Sequence, residues 1–177
     1  MPFVLLLGGA RSGKSSTAVR LASDSGSAVT FIATATAGDD EMAERIARHR
    51  EARPASWRTI EAPLDVLGAV QAAAGDDFLI IDCLTLWVSN LLGQGATPTR
   101  IDAAADGIVE ALDGRRCVVV TNEVGMGIVP VNELARLFRD VLGSVNARFA
   151  AAAERALLMV AGRAIDLAAV ENLIGPR

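Results

Sequence analysis

Apolar residues in this chain gather in short runs that alternate with longer amphipathic stretches. Phe3 to Leu7, Val29 to Ala33, Phe78 to Asp82, Cys117 to Thr121 and Ala156 to Val160 have the length and composition of buried strands. Between them, Lys14 to about Ser23, Asp39 to about Arg53, Leu64 to Ala74 and Ile101 to Leu112 read as helices. The second of these opens on Asp39-Asp40-Glu41, which suits the positive end of a helix, and stops before Pro54. Leu84 to Leu92 fits helix or strand, and the spacing of Trp87, Asn90 and Leu91 favours helix. Asn132 to about Glu154 carries the stripe Leu134, Leu137, Phe138, Val141, Leu142, Val145 and Phe149, which predicts one continuous buried face. Gly93 to Pro98 reads as a loop, and the tail from Ala161 to Arg177 shows no assignable pattern. Strands alternating with helices predict an α/β fold, a three-layer sandwich with a mostly parallel central sheet. A length of 177 residues predicts a single domain over 1–177.

The first strand-to-helix junction is Gly8-Gly9-Ala10-Arg11-Ser12-Gly13-Lys14-Ser15, a full match to G-x-x-x-x-G-K-[ST] with an apolar strand before it and a helix after it. Glycines let backbone N–H groups turn toward phosphate oxygens, and the helix start adds partial positive charge. The match makes the expected fold P-loop NTPase-like. Lys14 is expected to bridge the β- and γ-phosphates, and Ser15 to hold Mg²⁺ through its hydroxyl. Asp82 ends the buried run Phe78-Leu79-Ile80-Ile81 at the strand edge where α/β sheets bind ligands, as a second Mg²⁺ ligand would.

Composition narrows the class. Apolar residues make up 51% of the chain, enough for one core, yet no apolar run approaches the ~20 residues of a membrane span. Met1 to Leu7 lacks a basic segment and reads as a strand, so a cytoplasmic protein is expected. A net charge of −4 without a basic stripe gives nucleic acid no footprint. Aromatics are 4% and Tyr is absent, so base-stacking platforms are not expected. Cys83 and Cys117 have no metal-ligand spacing and read as buried free thiols. Of the 17 basic residues only Lys14 is lysine, so the compact ammonium is reserved for the P-loop.

A GTPase switch would need D-x-x-G and N-K-x-D, but Asp82 precedes Cys83-Leu84-Thr85 and Asn122 precedes Glu123-Val124. A transferase acting on a small substrate remains. The single histidine, His49, shares a helical face with Met42, Ile46 and Arg53. A lone histidine in such a place is often just a packed residue. Arg45, Arg48, Arg50 and Arg53 surround it, however, and neighbouring positive charge favours the neutral imidazole, a competent nucleophile toward phosphorus. The same arginines could neutralise a polyphosphate or merely form a solvated face. Thr121 to Pro130, with two glycines and a proline among apolar residues, reads as a shaped loop where substrate would sit.

Taken together, the segments resemble the bifunctional adenosylcobinamide kinase / adenosylcobinamide-phosphate guanylyltransferase family of cobalamin biosynthesis. The resemblance rests on Gly8 to Ser15, Ile32-Ala33-Thr34, Asp40-Glu41-Met42, Arg45-Ile46, His49, Arg53-Pro54, Trp57-Arg58-Thr59, Glu61, Asn122 to Pro130 and Arg139-Asp140, in the family's order from about residue 3 to 160. It implies phosphorylation of adenosylcobinamide by ATP or GTP. It further implies attack on the GTP α-phosphate by a histidine, loss of pyrophosphate and transfer of GMP to the cobinamide phosphate. His49 takes the histidine's place. Arg48 stands where some members have a second histidine, and Asp82 where some have Glu. The resemblance also implies guanylate contacts from Ala33, Thr34 and Ala35, from Arg50, Glu51, Ala52 and Arg53, and from Glu61 and the Asp82 region, and a propeller-like homotrimer. The runner-up is a monofunctional P-loop kinase without a covalent intermediate. A third reading, a nucleotide-binding regulator, lacks its switch motif.

Overall fold

A computed structural model describes residues 3–169; the remainder of the tail, residues 170–177, lies outside the described residues. Among the described residues seven strands form one sheet: β1 (Val4–Gly8), β2 (Val29–Ala33), β3 (Arg58–Glu61), β4 (Phe78–Asp82), β5 (Cys117–Val120), β6 (Arg155–Val160) and β7 (Arg163–Leu167). Their order is β3-β2-β4-β5-β1-β6-β7. Every pairing is parallel except the last, where β7 folds back on β6 as a hairpin. The helices are α1 (Lys14–Asp24), α2 (Asp40–Glu51), α3 (Val66–Ala72), α4 (Leu84–Gly93), α5 (Pro98–Ala111) and α6 (Glu133–Ala152).

Side chains alternate across the strands and feed two cores. Leu5, Ile32, Leu79, Ile81 and Val119 face the side covered by α3, α4, α5 and α6. Leu6, Phe31, Ile80, Val118 and Val120 face Ala18 and Ala22 of α1. The small alanines let α1 lie close to the sheet, which brings its start down onto the strand ends. Helix α2 buries none of its residues. It sits at the sheet edge, with Met42, Ile46 and Arg53 of the predicted shared face half-buried.

Three sequence expectations need correction. Arg58 to Glu61 is a strand that the apolar pattern does not reveal, because it is short, at an edge, and only partly covered. Val160 does not end the last strand: β7 follows it, five exposed residues whose mixed apolar and charged run is too short to mark a strand by pattern. The stripe on α6 is not continuously buried. Val141, Leu142, Val145 and Phe149 enter the core, whereas Leu134 and Leu137 are exposed.

Candidate active site

The register sets Asp82 beside Val120 on one side and Ala33 on the other, and β5 beside β1. The C-terminal ends of β1, β4 and β5 therefore stand in a row, and the P-loop closes over them. Gly8 ends β1 at φ 151°, a conformation that glycine accepts, and a Cβ there would collide with the Met159 carbonyl on β6. Lys14 is the first residue of α1 and its side chain is buried. Its ammonium donates to the carbonyls of Gly8 at 2.9 Å and Gly9 at 2.7 Å and to Ser12 Oγ at 3.2 Å. Burial pushes that ammonium below its ordinary range.

Asp82 is 12% exposed, and burial pushes its carboxyl above the usual range. The Ser15 hydroxyl, His49, Lys14 and Arg45 act in the opposite direction, favouring the charged form. The residue after it is locked in place. Thr34 Oγ1 accepts from Cys83 N at 2.7 Å and donates to Cys83 O at 2.8 Å. Asn90 on α4 then donates to the carbonyls of Thr34 at 2.8 Å and Pro63 at 3.0 Å, tying the ends of β2 and β3 together. Both thiols are inert at neutral pH: burial pushes Cys83 up to about 11, and Cys117 further still.

Helix α2 roofs the site. Asp39 caps it, accepting from Met42 N at 2.8 Å. His49, 44% exposed, presents Nδ1 to Asp82 Oδ2 at 4.0 Å. Arg53 donates from Nε to the His49 carbonyl at 2.9 Å and lays its guanidinium 3.8 Å over the Phe31 ring. Its Nη1 is buried without a hydrogen-bond partner, and burial pushes the guanidinium below its ordinary range. Between roof and floor is a cavity of about 690 Å³. Ala10, Arg11, Ser12, Gly13, Lys14, Ser15, His49, Ala52, Arg53 and Asp82 all line it.

Several other named residues are not on that wall. Ala33, Thr34, Ala35, Glu51 and Glu61 do not line the cavity, and Arg50 pairs with Glu61 at 3.5 Å on the exposed outer side. The Thr34 hydroxyl is committed to Cys83. Conversely, Phe31, Val19 and Glu41 line the cavity without any pattern in the sequence that marks them for it. Phe31 is an ordinary strand residue by pattern, and Glu41 reads as a helix-start acid.

On the β5 side, Asn122 lines the cavity and is held from below. Thr85 Oγ1 accepts from Asn122 N at 2.7 Å. Asn146 of α6 donates to the Asn122 carbonyl at 3.0 Å and accepts from Thr121 Oγ1 at 2.7 Å. Glu123 N donates to the Gly8 carbonyl at 3.2 Å, which braces the loop against the P-loop.

The donors present fit Mg²⁺. A buried carboxylate beside a hydroxyl is a pair of hard oxygen ligands, and Mg²⁺ on a nucleotide takes only one or two protein ligands and completes its shell with phosphate and water.

Comparison with known proteins places this architecture. The family model for cobinamide kinase / cobinamide phosphate guanyltransferase matches residues 4–167. The chain belongs to that family. Its enzyme class is the family's, a kinase and guanylyltransferase of cobalamin biosynthesis. A bifunctional adenosylcobalamin biosynthesis protein of Pseudomonas aeruginosa is 46% identical, over 92% of this chain and 95% of the relative. Its namesake in Salmonella typhimurium is also 46% identical, over 93% of this chain and 98% of the relative. Among solved structures, the PH0250 protein of Pyrococcus horikoshii aligns with a TM-score of 0.56 at 10% identity, covering 98% of this chain and 89% of that one. The RadB recombinase aligns with a TM-score of 0.53 at 13% identity, over 89% and 73%. These share the P-loop NTPase-like fold alone.

Proposed function

We propose that this enzyme phosphorylates the hydroxyl of adenosylcobinamide with ATP or GTP, and then guanylylates the phosphate through a GMP–His49 intermediate. One observation carries the reading. A single cavity brings the P-loop, Asp82 and the only histidine of the chain together. Lys14 and the P-loop amides bind the β- and γ-phosphates, and Arg45, Arg48 and Arg53 neutralise the remainder. In the first reaction the acceptor oxygen attacks the γ-phosphorus, the bond from that phosphorus to the β–γ bridging oxygen breaks, the nucleoside diphosphate leaves, and the hydroxyl proton passes to solvent. In the second, His49 attacks the α-phosphorus, an N–P bond forms, and the bond to pyrophosphate breaks. A phosphate oxygen of the cobinamide phosphate then displaces the imidazole, giving adenosyl-GDP-cobinamide. Because Nδ1 faces Asp82, Nε2 is the nucleophile. Mg²⁺, held by Ser15 and Asp82, would offset phosphate charge.

Ala33 to Ala35, Arg50 to Ala52 and Glu61 complete the guanylate site in this reading, with Arg50 and Glu61 already paired at its outer margin. One domain over 1–177 serves both activities, the oligomer is a homotrimer, and the location is cytoplasmic. No described helix is long and apolar enough to cross a membrane.

The test is incubation with GTP labelled at the α-phosphate. An acid-labile, alkali-stable covalent label is expected, and His49→Ala should abolish it. Labelling that survives in this variant moves the nucleophile elsewhere. Cobinamide phosphorylation without any α-label favours the monofunctional kinase.

A further inference from the structure

Apolar side chains are exposed along one stretch of the chain that begins shortly after the cavity residue Asn122. In the loop between β5 and α6, Met126 and Val129 are exposed, Ile128 is 98% exposed and Val131 97%. Leu134 and Leu137 extend the same surface along the first turns of α6. This is the upper third of the stripe that the sequence pattern assigns to a core. Exposed apolar side chains in such a run mark a binding surface.

The loop is anchored at both ends. Its start is fixed by Asn146 and Thr85 and by Glu123 N donating to the P-loop carbonyl of Gly8. Its end is fixed by Arg136, whose Nη1 donates to the carbonyls of Pro130 at 3.1 Å and Val131 at 2.6 Å, and by the Asn132 cap of α6. A loop held this firmly presents its apolar tip deliberately rather than for want of packing partners nearby.

Size and charge select the occupant. The cavity, about 690 Å³, is of the volume that one nucleotide-sized ligand fills, so a corrin macrocycle has to rest outside it. The acceptor hydroxyl must nevertheless reach the phosphates above Lys14. The macrocycle therefore rests on a rim continuous with the cavity, and Asn122 makes the loop that rim. From Val124 to Val131 the loop carries no charged side chain, which suits an uncharged macrocycle rim of methyl and amide groups and offers a phosphate no counter-charge. We propose that the loop Val124 to Val131, with Leu134 and Leu137, seats the corrin ring of cobinamide while its hydroxyl-bearing arm enters the cavity. The proposal rests on the reading of cobinamide as the phosphoryl acceptor.

The experiment uses the full chain with Ile128→Ser and Val131→Ser combined. Both residues are surface groups without core contacts, so folding is preserved. Cobinamide binding is followed by equilibrium dialysis, read by the visible absorbance of the corrin. GTP affinity, α-label incorporation without corrinoid, and molecular mass by light scattering are measured alongside. Cobinamide affinity is expected to weaken about tenfold or more, the scale of losing two buried apolar side chains. GTP affinity, label and mass should stay as in the unsubstituted protein. Unchanged cobinamide affinity overturns the proposal. A fall in mass also overturns it, since the loop would then join copies of this chain. If the unsubstituted protein binds cobinamide but does not phosphorylate it, the functional reading fails while the dialysis result still decides the seat.

Discussion

Thr34 uses one hydroxyl to hold both the N–H and the carbonyl of Cys83, directly after the carboxylate that faces His49. Its hydroxyl thus holds the backbone that carries Asp82, and any guanylate contact from Ala33 to Ala35 falls to other atoms of that turn. Thr34→Val keeps the shape but leaves a buried N–H without an acceptor, a loss of about 1–3 kcal/mol. The expected result is a fall of about tenfold or more in kcat for both reactions, with KM for GTP nearly unchanged and recovery in Thr34→Ser. Steady-state kinetics on the three proteins decide it; a rise in KM alone would mean that Thr34 binds nucleotide directly. Lys14, Ser15, Asp82 and His49 were singled out in the sequence by residue type and immediate neighbours, and the structure brings them to one cavity. Asn90, Asn146 and Thr85 were not, because their partners lie far along the chain. Arg53 shows an intermediate case: its place on the His49 face was readable, its stacking on Phe31 was not.

The β6–β7 hairpin gives the tail a purpose that its sequence conceals. Its turn, Ala161-Gly162, reaches back to the P-loop, where Gly162 N donates to the Ser12 carbonyl at 2.9 Å. A Cβ on Gly13 would stand only 3.3 Å from Gly162 Cα, so the two backbones are in close contact. Gly162 adopts φ 75°, which a β-branched residue resists at a cost of about 1–3 kcal/mol. Gly162→Val is therefore expected to shift the turn, loosen the P-loop and weaken GTP binding several-fold by calorimetry, whereas Gly162→Asn, which tolerates a left-handed backbone, should bind nearly as well as the unsubstituted protein. Equal binding by both would separate the turn from phosphate recognition. The parallel strands other than β3 were readable because their burial makes them continuous apolar runs. Edge strands β3 and β7 lack that cover, and only their pairing partners define them.

Across the whole molecule, four helices on one sheet face build the larger core, and the opposite face beneath α1 leaves room at its edge for the cavity and its α2 roof. Helix α6 belongs to both the core and the proposed substrate surface. Its C-terminal half buries Phe149, whose ring meets Phe3 edge-on at 5.8 Å, while its first turns expose Leu134. Hydrophobic periodicity treats the two halves alike, since it registers a face and not what covers that face. The halves should separate by stability. Phe149→Ala empties a fully enclosed site and should lower unfolding free energy by about 3–5 kcal/mol. Leu134→Ser removes a side chain already in contact with water and should change it by no more than about 0.5 kcal/mol. Urea titrations of both variants provide the measurement. A large loss in Leu134→Ser would place that residue in the folding core or in a contact between copies, and would remove it from the surface assigned to cobinamide.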